Sequence, residues 1–134
     1  MGMKFFFQTL RTSEYMYVHA YDEDSDTHLG CICVALKDVE FARYKSLCKG
    51  DKLAKIVRVE TNRSFTNLGV ASGMLNEVVK QLEGWNIYLN VVPCPRSDFE
   101  RHTLTRERLV HFYAKFGFKM APDVLTTTMF RTAR

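Results

Sequence analysis

Between positions 59 and 72 the chain reads Val59-Glu60-Thr61-Asn62-Arg63-Ser64-Phe65-Thr66-Asn67-Leu68-Gly69-Val70-Ala71-Ser72. A turn with Gly69 entering a helix leaves first-turn N–H groups without helical partners. Those groups and the helix dipole favour an anion. Gly69 allows close backbone approach, and Ala71 and Ser72 keep it uncrowded. A pyrophosphate fits such a cradle, although a plain turn has the same look. A second group is Tyr113, in the run Leu109-Val110-His111-Phe112-Tyr113-Ala114-Lys115-Phe116-Gly117-Phe118. With Leu109, Phe112 and Phe116 as core anchors, Tyr113 falls at the edge of the apolar stripe, where its hydroxyl can reach a polar space. The alternative is an ordinary core tyrosine on an amphipathic helix capped by Gly117. Glu60 is a third titratable group. Strand alternation places it with Ile56 and Arg58, opposite Val57, Val59 and Thr61.

The elements that must position these groups follow from periodicity and punctuation. Residues 5–12, 15–21 and 29–36 are rich in aromatic and β-branched residues and read as an antiparallel meander. The run Asp22-Glu23-Asp24-Ser25-Asp26-Thr27 is turn material, a solvated hairpin tip that lacks the spacing of a calcium loop. Residues 38–49 are ambiguous: Asp38 could cap a short helix that Gly50 ends. Residues 53–61 form a strand. Val70, Met74, Leu75, Val78, Val79 and Leu82 then repeat at helical spacing until Gly84. Residues 86–92 are a strand ended by Pro93-Cys94-Pro95. Thr105 is a candidate N-cap for the helix carrying Tyr113, and residues 126–131 are a last strand. The order implies an α/β fold with a mixed sheet, in which strand 53–61, helix 70–83 and strand 86–92 form a right-handed crossover.

The totals narrow the function classes. The chain has 134 residues, the size of a single domain spanning 1–134 that needs no metal or disulfide staple. The net charge of +4 suits an anionic ligand with several phosphates as well as it suits nucleic acid. No block of basic residues or recognised motif supports a nucleic-acid module. Cys31, Cys33, Cys48 and Cys94 include no C-x-x-C pair, and free thiols in a reducing cytosol are expected. Gln8 and Arg11 break the early Phe5-Phe6-Phe7 run too soon for a signal peptide, and no apolar stretch is long enough for a membrane span. A cytoplasmic protein is the expectation.

Taken together, the two runs resemble motifs A and B of the GNAT (GCN5-related N-acetyltransferase) superfamily. The first motif, Gln or Arg, two residues, Gly, one residue, then Gly or Ala, falls on Thr66-Asn67-Leu68-Gly69-Val70-Ala71. The second half of the other motif matches Phe112-Tyr113-Ala114-Lys115-Phe116-Gly117-Phe118. The resemblance covers residues 53–131. Thr66 stands where the family usually has Gln or Arg, with Arg63 nearby to substitute. Leu109 replaces a small alanine, and Arg106 stands where asparagine is common.

The resemblance implies a GNAT-like mixed, mostly antiparallel central sheet flanked by helices. It implies acetyl-CoA as cofactor and transfer of the acetyl group to a primary amine by direct attack. The amine-bearing substrate is a small molecule or a protein. Val59 and Thr61 would hold the pantetheine arm through backbone hydrogen bonds. The motif from Thr66 through Ser72, and above all the amides of Leu68, Gly69, Val70 and Ala71, would take the pyrophosphate. An N–H near Val59 would polarise the carbonyl, and Tyr113 would protonate the leaving thiolate. Glu60 is the family-like candidate for the base, provided a β-bulge re-aims it; otherwise it is a solvated strand residue. Asp98, Glu100 and His102 follow the fifth strand, on a loop bordering the acceptor site in this fold. His19 and His111 read as packing histidines. No metal site is expected. A protein of the same fold that binds coenzyme A or a partner without turnover is the alternative, and a homodimer is compatible with the sequence.

Overall fold

The computed structural model describes residues 4–37, 39, 41–61, 69–91, 106–121 and 128–134. Seven strands form one sheet: β1 Phe5–Arg11, β2 Tyr15–Asp22, β3 His28–Ala35, β4 Leu53–Thr61, β5 Asn86–Asn90, β6 Lys119–Met120 and β7 Thr128–Arg131. Their spatial order is β1-β2-β3-β4-β5-β7-β6. All neighbours are antiparallel except β4 and β5. Helix α1 (Phe41–Tyr44) continues into a 3₁₀ turn, α2 spans Val70–Gln81 and α3 spans Arg106–Ala114. The described residues between 38 and 49 hold a short helix and a turn, with Gly50 at positive φ beyond them, and Asp38, the candidate cap, lies outside the described residues. Among the described residues no helix is long and apolar enough to cross a membrane.

The inner face of the sheet carries the main core. Met16, Val18 and Ala20 of β2, with Ile32 and Val34 of β3, meet Val70, Met74, Leu75 and Val78 of α2. These α2 positions recur at three- and four-residue spacing, and burying that stripe against the strands holds the short helix in place. Two glycines permit the close approach. A Cβ on Gly30 would stand 2.6 Å from the Glu60 carbonyl oxygen and 2.9 Å from Met74 Cε, and one on Gly73 would stand 2.7 Å from the Phe7 ring. Among the described residues the outer face is covered at one corner, where the Tyr44 ring lies tilted against Tyr88 and Phe130 beside Leu53.

Strand β4 departs from simple alternation. Cys33 pairs with Arg58 and Val34 with Ile56, so Val57 is an extra residue, a bulge. Ile56 therefore does not share a face with Arg58 and Glu60, as plain alternation requires. Ile56 is core, while Arg58 and Glu60 pair with Cys33 and Cys31 on the outer face. The bulge turns Val59, opposite Ile32, and Thr61, opposite Gly30, to the inner side.

On the outer face His19 Nδ1 and His28 Nε2 are 3.0 Å apart. Partial burial and, secondarily, the charge of His28 push the His19 pKa below its ordinary 6.5. The unfolded chain then binds more protons than the folded one as the pH falls through and below 6.5, so acid removes stability. Thermal stability is expected to fall between about pH 7 and pH 5, and His19→Gln is expected to flatten that slope. A melting series showing equal slopes in both proteins would remove His19 as the cause.

Candidate functional site

The site begins where β4 and β5 separate. The parallel pairing runs only from Leu53 opposite Asn86 to Ile56 opposite Leu89. At the closed end the Asn86 amide donates to the carbonyls of Lys49 and Lys52 (3.1 and 2.9 Å), and its Oδ1 accepts from Lys49 and Ala133 N–H (3.0 and 2.9 Å). This fully bonded, buried asparagine fixes the start of β5. At the open end Asn90 pairs with Thr128 of β7, whose hydroxyl donates to Asn90 Oδ1 at 3.2 Å. Among the described residues, β4 beyond Ile56 is paired with β3 and no longer with β5, so the sheet parts into two halves there.

Backbone polarity along the gap follows from the register. The Glu60 carbonyl lies against Gly30 of β3. Successive residues of a strand aim their N–H and C=O groups to opposite sides. Those of Val59 and Thr61 therefore point away from β3, toward the gap. An edge with free N–H and C=O groups can pair an extended ligand as a further strand would.

Helix α2 starts at the same end, following the loop that leaves β4. Gly69 is its N-cap at φ +78°, a conformation that favours glycine, and a Cβ there would meet open space. The first helical bond runs from Gly73 N–H to Gly69 O at 3.0 Å, so the N–H groups of Val70, Ala71 and Ser72 have no helical partner. The first turn holds no acidic residue. The positive end of the dipole is therefore not neutralised by a carboxylate of the helix itself. Thr66, Asn67 and Leu68, with Arg63, lie outside the described residues, as do Asp98, Glu100 and His102.

Tyr113 stands on α3, which is tied to the far half-sheet by a 2.8 Å bond from Arg131 Nε to Phe116 O. Its placement corrects the sequence reading. Tyr113 is the buried residue of its stripe, 7% exposed, whereas Leu109, Phe112 and Phe116 are only partly buried. The helix has nine residues, and the chain turns back at Gly117 to lay Phe118 beneath it. The Tyr113 ring meets Phe112 and Phe118 edge-on, with centroids 5.1 and 5.9 Å away. Burial pushes its pKa up to about 12, so the phenol is protonated throughout the physiological range.

Glu60 sits across the strand from Cys31 on the outer face, with Arg58 Nε 3.7 Å from its carboxylate. Both side chains are well exposed, so the ion pair adds little stability. Cys31, whose thiol is pushed up chiefly by burial, and His19, with Nε2 4.0 Å from Cys31 Sγ, extend this polar strip. The register that brings Cys31 beside Glu60 follows the bulge at Val57, and no sequence signal marks it. Among the described residues no group of three metal-ligating side chains converges.

A family profile described as the acetyltransferase (GNAT) family matches residues 3–118. No curated protein sequence matches the chain. Solved structures of similar fold include Arabidopsis thaliana NAA60 in complex with acetyl-CoA, with TM-score 0.64 and 16% identity, covering 95% of this chain and 97% of that one. Arabidopsis thaliana Naa50 in complex with the bisubstrate analogue CoA-Ac-MVNAL gives TM-score 0.55 and 20% identity, over 85% of this chain and 68% of that one. The histone acetyltransferase HPA2 and related acetyltransferase from Corynebacterium glutamicum gives TM-score 0.62 and 17% identity, over 90% and 66%. The profile runs from the first strand through the split sheet to the helix of Tyr113, and the chain belongs to the GNAT family of acetyltransferases.

Proposed function

We propose that this protein transfers an acetyl group from acetyl-CoA to a primary amine by direct attack of the amine, without an acyl-enzyme. The observation that carries this reading is the gap between β4 and β5, with α2's N-terminus at its mouth. The residues present fit the coenzyme: an open strand edge for the amide-bearing arm, and partnerless N–H groups with no acidic residue in their turn for the phosphates. Acetyl-CoA supplies an acyl group activated as a thioester. Membership of the family and the acetyl-CoA bound to NAA60 support the same donor.

On this reading Val59 and Thr61 bind the pantetheine arm, and the turn from Thr66 through Gly69 to Ser72 binds the pyrophosphate. Tyr113 donates a hydrogen bond to the sulfur as it becomes a thiolate. Complete proton transfer from a phenol at about 12 to an alkyl thiolate near 8.5 runs uphill by several pH units, so this hydrogen bond is its main contribution. Glu60, on the outer face of β4 beyond its pairing with β5, takes the proton from the amine. The peptide-bearing analogue bound to Naa50 makes a polypeptide amine the first acceptor to try.

Acetyl-CoA at about 100 times its dissociation constant should add roughly 2.7 kcal/mol of stability. For a domain of this size that raises the Tm by roughly 10 °C. Native mass spectrometry should detect the complex, and thiol release in the presence of peptide amines should report turnover. An unmoved Tm at millimolar acetyl-CoA would overturn the donor assignment. Binding without thiol release from any amine would instead favour a non-catalytic protein of the same fold.

A further inference from the structure

Where the ends of α2 and α3 meet the end of β7, positive charge gathers around a hollow. A cavity of about 310 Å³ is lined by Val79, Lys80, Glu83, Gly84, Arg131 and Arg134. It lies at the C-terminal end of α2, about 18 Å along the helix from the first-turn N–H groups, and so is separate from the mouth between β4 and β5. Arg131 is only 8% exposed. Its Nε donates to the Phe116 carbonyl at the end of α3, and among the described residues its two Nη groups have no partner. A Cβ on Gly117 would stand 3.1 Å from Arg134 Cζ and 3.4 Å from Arg131 Nε. The bare backbone of Gly117 thus lets two guanidinium groups lie side by side, and Lys80 adds a third cation on the wall.

Like charges this close repel each other, and burial takes away the water that would screen them. Burial first, and the charge of Arg134 second, push the Arg131 pKa below its ordinary value. Among the described residues no carboxylate, Glu83 included, lies within ion-pairing distance of Lys80, Arg131 or Arg134. The carbonyl ends of α2 and α3 supply about half a negative charge each, less than the three cations carry. Guanidinium groups match the oxygens of a phosphate in pairs, and an ammonium adds a point charge. The cavity is larger than a phosphate and falls at the lower end of the range for small-molecule sites, about 300 to 1,000 Å³. A nucleic-acid strand needs a groove that tracks several phosphates, whereas these cations converge on one point. We propose that this hollow binds a small phosphate monoester, its phosphate held by Arg131, Arg134 and Lys80 and its organic part lying along Val79 and Gly84.

Calorimetry at fixed ionic strength in a phosphate-free buffer is expected to show one glycerol 3-phosphate bound per chain, with inorganic phosphate weaker and glycerol not bound. Lys80 and Arg134 are exposed and hold no hydrogen bond or ion pair among the described residues. Lys80→Gln and Arg134→Gln should therefore each lower that affinity at least about tenfold, with an unchanged circular dichroism spectrum. Melting separates a binding role from a structural one. Arg134→Gln removes a charge that presses on Arg131, so without phosphate it should melt no lower than the parent. With glycerol 3-phosphate present, the parent's Tm should rise more than the variant's. Absence of saturable glycerol 3-phosphate binding, tighter binding of inorganic phosphate, parent-like affinity in both variants, or a lower Tm of Arg134→Gln without phosphate would overturn the proposal.

Discussion

Ala71→Glu is expected to weaken coenzyme A binding about 100-fold while leaving the free protein at least as stable. Ala71 lies in the first turn of α2, beside N–H groups without helical partners. A carboxylate there interacts favourably with the helix dipole, by about 0.3 to 1 kcal/mol. Facing a bound pyrophosphate, the same charge repels. Two like charges about 5 Å apart, at an effective dielectric near 20, oppose each other by about 3 kcal/mol, or roughly a factor of 100. Ala71→Gln brings nearly the same bulk without the charge, so comparing the two separates repulsion from crowding. Calorimetry with coenzyme A gives the affinities, and melting of the free proteins gives the stabilities. Equal affinity in Ala71→Glu and the parent would move the phosphate site away from this helix. Loss of affinity accompanied by a lower melting temperature would point to a damaged fold.

Local signals were enough for the elements that build this mouth. The strand over residues 53–61 has the bounds its sequence implies, because β-branched residues fill it and polar residues end it. Gly69, Gly84 and Gly117 mark the helix ends, and all three adopt the positive φ that makes glycine informative there. The bulge at Val57 was not readable. Ile56, Val57, Val59 and Thr61 are all β-branched, so neither face of the strand looks polar enough to reveal a change of phase. The separation of β4 from β5 is likewise a matter of register. β5 pairs with β4 as far as Leu89 opposite Ile56, whereas on its other edge Asn90 still pairs with Thr128 of β7, 38 residues away in the chain. The short β6 beyond β7 gave no periodic pattern, having only Lys119 and Met120.

The burial of Tyr113 exposes the limit of stripe counting on a short helix. Counting chose Leu109, Phe112 and Phe116 because they are the most apolar. A nine-residue helix is oriented by its neighbours as much as by its own stripe. Here Phe118, returning after Gly117, takes the Tyr113 ring as its partner. Deep placement also changes what the hydroxyl can do. A phenol in bulk water exchanges hydrogen bonds freely, whereas one held inside a packed cluster is aimed by its ring and strengthened by low local dielectric.

Tyr113→Phe is therefore expected to lower turnover by roughly 10- to 10⁴-fold, with coenzyme A affinity nearly unchanged. The substitution keeps the ring and its edge-on contacts with Phe112 and Phe118, so it removes one oxygen and little packing. If the hydroxyl serves only structure, the pattern reverses: turnover stays normal and stability drops by about 1 kcal/mol. Measuring kcat and Tm on the same variant distinguishes the two outcomes. The pH profile adds an independent check. Because burial pushes the Tyr113 pKa up to about 12, its deprotonation is not expected to lower the rate at mild alkalinity. A fall at milder alkalinity that disappears in Tyr113→Phe would contradict that assignment. With an amine acceptor in hand, thiol release gives kcat directly; before one is found, slow hydrolysis of acetyl-CoA serves as a weaker assay. Parent-like turnover in Tyr113→Phe would remove the hydroxyl from the chemistry and leave the β4 edge as the group acting on the thioester.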